Sequence, residues 1–342
     1  MLKINQVVNS LINNLNPRQR EFLEERYGLK DQNRKTLQEL GERHDITRER
    51  VRQIESEALR LARENFKNSE ALKIVDQGKK FLQSIGGVKK EDDLVSDLKI
   101  VLKDDSINKF NLKFLFEVSG TPFYYNEDSE YNGFWYLDKQ ALKKAQGFIG
   151  KGVKFFSNKK DDLVFGNKFS KHLAQLASAS NINDKVAIQY FGISKKFGTN
   201  PFSDFGLAHW EEINPKTSRA KAYLVLKKQG KPLHFRKIAD VINESGFKDK
   251  KVYPQTIHNE LIKDSRFVLV GRGMYGLKEL GYTAGTAKDL ITTILKSKGP
   301  LDARQVLKLV SEQRFLKENT ILLNLQNKKY FKKTDNNKYY LA

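Results

Sequence analysis

Arg48, Glu49, Arg52 and Gln53 lie within six consecutive positions, directly behind Thr47. Side chains of these types suit the edges of base pairs. Arg pairs with guanine, Gln with adenine, and Glu accepts from cytosine, each good pair discriminating by about 1–3 kcal/mol. Such groups must be carried by a helix end that enters the major groove. The stretch TLQELGERHDITRERVRQIESEALRLAR, Thr36 to Arg63, supplies that carrier. Thr36 with Glu39 three residues later is a capping-box signature, and Leu37, Leu40 and Gly41 give a short helix one small or apolar face, ending near His44. Asp45 and Ile46 break the pattern, and Thr47 then caps a second helix. In that helix Val51, Ile54, Ala58, Leu59 and Ala62 recur at three- and four-residue spacing and face a core. The competing reading is a charged, solvated helix in which Glu49 pairs with Gln53 while Arg48 and Arg52 stay unpaired.

The composition narrows the partners. The chain has 342 residues, enough for two to four domains with real cores. Its 62 basic against 41 acidic residues give a formal charge of +21, which points to a polyanion, and nucleic acid first. No apolar run nears the length of a membrane span, and MLKINQVVNSLINNL lacks the continuous apolar stretch of a signal peptide. No membrane partner is therefore expected, and the cytoplasm is the simplest home. With no Cys there is no disulfide, no thiol catalysis and no Cys-based zinc finger. The excess charge is concentrated at the end: residues 217–281 carry 14 basic against 6 acidic residues, and residues 282–342 carry 12 against 5.

That last third repeats itself. Thr256, Ile257, Leu261, Phe267, Tyr275 and Leu277 match Thr320, Ile321, Leu325, Phe331, Tyr339 and Leu341 at a constant offset of 64. Upstream, Pro232, Leu233, Ile238 and Ile242 match Pro300, Leu301, Val306 and Val310 at an offset of 68. A fixed-period repeat means two copies of one unit. Each reads helix, helix, helix, strand, turn, strand, which is a winged helix. In the first copy the helices fall at Ser218–Gln229, Phe235–Glu244 and from Pro254 onward, followed by a hairpin around Gly271, Arg272 and Gly273. The exposed side of its third helix offers Gln255, His258, Asn259 and Lys263, and Arg272 tips the wing, where it can reach a minor groove or phosphate. A solvated surface on a protein-interaction module is the alternative.

From Leu15 to about Arg63 the chain resembles region four of bacterial primary-type sigma factors, through LNPRQREFLEERYGL (Leu15–Leu29) and TRERVRQIE (Thr47–Glu55). The resemblance implies that Arg48, Glu49 and Gln53 read bases of a promoter's upstream hexamer, with Arg50 and Arg52 near phosphates. It also implies that Leu15 to Leu29 helps dock on the flap of RNA polymerase. Glu57 departs from the Lys usual in that family. Residues 217 to about 281 resemble the HARE-type helix-turn-helix through KPLHFRKIADVIN and TIHNELIKDSRFVLVGRGMYGL. That module occurs in the delta subunit of some RNA polymerases, in chromatin proteins and beside restriction nucleases, and so implies association with DNA or polymerase.

Residues 67–216 hold no motif that yields chemistry. Leu94–Leu102 and Asn111–Val118 read as helices, with Thr121–Tyr125 and Phe134–Leu137 as a hairpin, which suits a degenerate winged helix over 68–140. The aromatics Phe123, Tyr124, Tyr125, Tyr131, Phe134, Trp135 and Tyr136 either stack on unpaired bases or form wing and core. Leu173–Ala179 and Asp184–Phe191 read as helices, and Gly192–Pro215 as a connector that Trp210 anchors to a neighbour. The five His residues show no paired ligand spacing, and Asp92, Asp93, Asp97 and Lys99 share one helix-like segment instead of converging from separate strands. No enzyme activity, metal or cofactor is expected.

The expected architecture is mainly α with small β wings, built of tandem helix-turn-helix and winged-helix modules: a sigma-like helix-turn-helix (1–67), the degenerate winged helix (68–140), a helical connector (141–216), the HARE-type winged helix (217–281) and its repeat (282–342). The expected DNA contacts are Thr47, Arg48, Glu49, Arg50, Arg52 and Gln53 in the first module, and Gln255, His258, Asn259, Lys263 and Arg272 in the fourth. The partners are double-stranded DNA and the RNA polymerase flap, and the site of action is the nucleoid. No segment resembles the promoter-melting region of a complete sigma factor. A polymerase-associated, delta-like subunit and a nucleoid- or restriction-associated protein are the alternative functions.

Overall fold

The computed structural model of the chain describes residues 3–247, 251–283, 285–314 and 316–342. It divides into two compact units, Met1–Lys159 with Lys168–Phe197, and Lys160–Asn167 with Gly198–Ala342. Each is mainly helical with small antiparallel sheets.

The first unit begins with α1 (Ile4–Ile12), α2 (Pro17–Tyr27), α3 (Leu37–Arg43) and α4 (Arg48–Phe66). Local chemistry sets these bounds. Asn16 and Gln19 form a reciprocal capping box with Pro17 at the first turn of α2, and Gly28 ends that helix in the left-handed conformation at φ 67°. Thr36 and Glu39 cap each other's backbone N–H at the start of α3, and the Thr47 Oγ1 accepts from the Arg50 N–H at the start of α4. Then follow α5 (Ala71–Ser84), β1 (Val88–Lys90), α6 (Glu91–Leu102), α7 (Lys109–Ser119), β2 (Phe123–Tyr125) and β3 (Phe134–Tyr136). The strands order β1-β3-β2, with Tyr124 opposite Trp135, which is winged-helix topology. Most of the aromatic cluster packs on itself: Phe134 and Trp135 are buried, Tyr125 stacks on Phe134, and Phe123 stacks on Tyr136. The unit closes with α8 (Lys139–Phe156), α10 (Phe169–Ala179) and α11 (Asp184–Gly192).

The first four helices and this middle winged helix share one core. Leu23 and Tyr27 of α2, Ala58 and Ala62 of α4, and Phe114 and Phe116 of α7 lie in the same cluster. The third helix of a winged helix ordinarily faces outward to a ligand. Here α7 is buried on most of its surface, at Asn111, Leu112, Phe114, Leu115, Phe116 and Val118.

In the second unit α9 (Lys160–Val164), β4 (Phe197–Thr199) and β5 (Phe205–Leu207) precede the repeats. The stretch expected to be a bare connector thus contains a strand pair and a buried polar lock. Asn200 Nδ2 donates to Asp204 Oδ2 at 2.8 Å and to the Glu212 carbonyl at 3.0 Å, and Lys228 Nζ reaches Asp204 Oδ1 at 2.6 Å. Trp210 is buried, and a Cβ on Gly206 would stand 2.7 Å from its ring.

The first repeat comprises α12 (Ser218–Gln229), β6 (Leu233–His234), α13 (Phe235–Glu244), α14 (Pro254–Lys263), β7 (Phe267–Gly271) and β8 (Met274–Leu277), and its strands order β6-β8-β7. The second comprises α15 (Ala287–Lys298), α16 (Ala303–Gln313), α17 (Glu318–Leu325), β9 (Phe331–Lys333) and β10 (Tyr339–Leu341). The unit as read from the sequence lacks one element, a short strand between its first and second helices. Leu233 pairs with Tyr275 in the first copy, and Leu301 bridges Tyr339 in the second, the positions that the two offsets align. The matched positions Ile238 and Val306, Ile257 and Ile321, and Phe267 and Phe331 are all buried.

Candidate nucleic-acid interface

The short core under the helix-turn-helix consists of Phe22, Leu40 and Val51, with Leu37, Ile46 and Ile54 against it. Two details fix the turn between α3 and α4. Asp45 takes the left-handed conformation at φ 53°, a region that Asp visits more readily than most residues. A Cβ on Gly41 would lie 2.7 Å from the Ile46 carbonyl oxygen, so only glycine lets α3 pass this close to the turn. His44 packs on Phe22 with ring centroids 4.6 Å apart. Behind α4, Arg26 joins Glu55 at 3.2 Å and the Lys35 carbonyl at 3.1 Å, tying α2 to the recognition helix.

The amino-terminal end of α4 stands in solvent. Thr47, Arg48, Glu49, Arg50, Arg52 and Gln53 are all exposed, while Val51 between them is fully buried. Their mutual pairing differs from the expected Glu49–Gln53 pair with Arg52 left free. Arg52 holds Glu49 with two hydrogen bonds, at 2.9 and 2.7 Å, and Arg50 donates to Gln53 Oε1 at 3.1 Å. The three-residue spacing along one helix face brings these ends together. The bonds from Arg52 hold the Glu49 carboxyl below its usual range and raise the Arg52 guanidinium above its own. Arg48 makes no ion pair among the described residues.

The segment Leu15–Leu29 is placed differently from what flap docking needs. Leu15, Leu23 and Tyr27 are buried in the shared core, Phe22 is buried under the helix-turn-helix, and Leu29 packs on the shared core's edge. Tyr27 meets Phe114 of α7 edge-on at 5.3 Å. The apolar side chains of this segment are therefore occupied within the chain.

In the first repeat Gln255, Asn259 and Lys263 are exposed on α14, with Gln255 donating to Asn259 at 3.3 Å and Lys263 within 3.8 Å of Glu260. His258 is half-buried instead, its ring 4.7 Å from Phe235 and 5.8 Å from Tyr275, so it braces the base of the wing. Arg272 is exposed at the wing tip beside Gly273, whose φ of 71° and close approach to His234 exclude a side chain. Sequence reading missed Tyr253 and Ile262, both well exposed beside the α14 polar groups, because an apolar residue at helical spacing reads as core. Among the described residues no group of His, Asp and Glu could hold a metal ion, and no helix is long and apolar enough to cross a membrane.

Two segments match protein-family models: residues 11–64 match the family described as Sigma-70, region 4, and residues 217–280 match HARE-HTH, a helix-turn-helix domain named for its occurrence in ASXL proteins and restriction endonucleases. The first segment is similar to RNA polymerase sigma factor SigA of Nostoc sp., 49% identical over 59 residues, which is 17% of this chain and 15% of that protein. SigA of Microcystis aeruginosa is 48% identical over 60 residues, covering 18% and 14%. The sigma factor sigB of Arabidopsis thaliana is 39% identical over 64 residues, covering 19% and 11%. The chain thus spans about 15% of the length of the sigma factors it matches most strongly.

Proposed function

We propose that this protein binds double-stranded DNA in the service of transcription and selects its site with the amino-terminal end of α4. The observation that carries the proposal is the row of exposed polar ends Arg48, Glu49, Arg50, Arg52 and Gln53 on a rigidly seated helix, within a segment matching sigma region four. The coarser part, a DNA-binding and transcription-related role, rests on both family matches. The finer part is promoter-like recognition: Arg48, Glu49 and Gln53 read base edges, and Thr47, Arg50 and Arg52 contact the backbone. The winged helices add affinity through Gln255, Asn259, Lys263 and Arg272, with His258 supporting the wing. On this reading the protein works on the nucleoid, in the cytoplasm, and chooses DNA without melting it.

A polymerase-associated subunit that grips the flap is the second reading. The match to region four favours it, but the burial of Leu15, Leu23 and Tyr27 counts against flap docking through that segment. Selection of bound duplexes from a random pool by the wild type and by Gln53→Ala separates the two. Base reading predicts that the variant loses discrimination at one base pair, by about 1–3 kcal/mol, with other positions unchanged. An equal loss for every sequence would sink the base-reading role.

A further inference from the structure

Helix α8 carries five lysines, Lys139, Lys143, Lys144, Lys151 and Lys154, and no acidic residue over 18 positions. Its apolar side, Ala145, Phe148, Ile149 and Phe156, is buried in the first unit. The opposite side presents Lys143, Lys144, Gly147, Gly150, Lys151 and Lys154, all exposed and spaced three or four apart along one face.

This face is unneutralised where its surroundings are not. Elsewhere in the same unit Lys73 pairs with Glu70, Lys89 with Asp97, Lys195 with Glu127 and Lys196 with Glu130. Among the described residues Lys143, Lys144, Lys151 and Lys154 make no ion pair or hydrogen bond. Lys139 and Lys143 repel at four-residue spacing, Lys151 and Lys154 at three, and Lys139 at the first helical position opposes the helix dipole. The two glycines weaken the helix further. Nothing inside the chain requires them, since a Cβ on Gly147 or Gly150 would meet no atom within 4 Å, whereas one on Gly152 would strike Phe191 at 2.6 Å. Every one of these choices is unfavourable to the isolated protein, and each becomes favourable against a polyanion that lies close to the helix backbone.

We infer that the exposed face of α8 is a second DNA-binding surface, which grips the phosphate backbone without regard to sequence. From Lys143 to Lys154 the stripe spans roughly 16 Å. Duplex DNA carries one charge per ~1.7 Å of its axis, so the lysines meet phosphates along the whole stripe at once. Gly147 and Gly150 leave a gap between the two lysine pairs into which the sugar-phosphate chain fits. A lipid surface suits it less, because the face has no bulky apolar side chain to insert and the apolar side of α8 is already buried. The inference stands apart from base reading by α4.

The test uses the full chain carrying K143Q/K144Q/K151Q/K154Q, titrated with a random-sequence duplex over a range of salt concentrations. Each lost phosphate contact lowers the slope of log K against log salt by about 0.9, so the slope should fall by about 3 to 4, with affinity down tenfold or more. The loss should be equal for all sequences and leave the Gln53-dependent preference intact, which separates it from failure of the α4 reading. A second variant, G147A/G150A, should melt at a higher temperature yet bind duplex more weakly. Unchanged duplex affinity and slope in the lysine variant would overturn the inference. So would a loss of binding to phosphatidylserine vesicles with duplex binding untouched. If the lysine variant does not fold, the glycine variant decides: tighter or equal duplex binding overturns the inference, weaker binding upholds it.

Discussion

Phe114 lies far from α4 in sequence and outside the segment that matches sigma region four, yet its removal should loosen the recognition helix. Its ring is fully buried, meets Tyr27 edge-on at 5.3 Å, and sits in the cluster that also holds Ala58 and Ala62 of α4. Phe114→Ala leaves a cavity there and should destabilise the unit by about 3–5 kcal/mol. Against the 5–15 kcal/mol usual for a domain, that is a large share. Because each 1.4 kcal/mol is tenfold in an equilibrium constant, amides that exchange by opening of the shared core should exchange roughly a hundredfold faster or more. Native-state hydrogen exchange reads this residue by residue. The amides of Val51–Ala62 should accelerate together with those of α7, while those of the second unit keep their rates. If α7 loosens alone and α4 keeps its protection, the helix-turn-helix is an autonomous module and the shared-core argument fails. The same reasoning predicts that residues 1–67 expressed alone expose Leu23, Tyr27 and Phe66, so that binding experiments need the longer unit.

Two further outcomes follow from buried polar groups. Asp104 is pushed up by burial, but hydrogen bonds from the Ser106 hydroxyl and the Ile4 and Ser106 N–H groups outweigh this and hold its carboxyl below the ordinary value. A depressed acid stabilises the fold above its unfolded pKa and loses that contribution as pH falls through the folded one. Asp104→Asn should therefore flatten the fall in stability below about pH 4, and a pH-dependent denaturation series with the same acid slope as the wild type would refute this. Arg314, nearly buried, donates to the Leu269 carbonyl at 3.2 Å and the Thr283 carbonyl at 2.6 Å, linking the second winged helix to the first. Arg314→Met strands two carbonyls, at a cost of about 1–3 kcal/mol, and calorimetry should show the two repeats melting as separate transitions, whereas one unchanged transition would show that they are coupled by other contacts.

Elements defined by local chemistry were legible in the sequence. The Thr36–Glu39 box and the Thr47 cap, the limits of α12 and α13, and Pro254 at the start of α14 all depend on neighbours a few residues away. Elements defined by distant partners were not. The two residues of β6 carry no pattern of their own and become a strand only by pairing with β8. Helix α8 hides because Gly147, Gly150 and Gly152 interrupt a stripe whose apolar members, Ala145, Phe148, Ile149 and Phe156, mean little until Tyr190 and Phe191 are brought against them. Burial of α7 is of the same kind: NLKFLFEV reads as an amphipathic helix, and only the tertiary fold supplies apolar partners on more than one side.

At the candidate site the side chains themselves were legible but their state was not. Glu49 and Arg52 engage each other, as do Arg50 and Gln53, so the groups expected to read DNA are bonded to one another before any DNA arrives. This does not count against base reading. Exposed pairs at three-residue spacing contribute only about 0.2–1 kcal/mol, less than the roughly 1–3 kcal/mol of a good base-edge pair. Their pairing restrains long side chains near the groove-facing end of α4 and reduces the self-repulsion of three arginines set within five positions. It also suppresses indiscriminate attraction, because Glu49 offsets Arg52 against any phosphate but must be released, or matched to a cytosine, for Arg52 to reach a base. The unpaired lysines of α8 have no such restraint. A helix whose charges are internally matched favours choice, and a helix whose charges are unmatched favours grip.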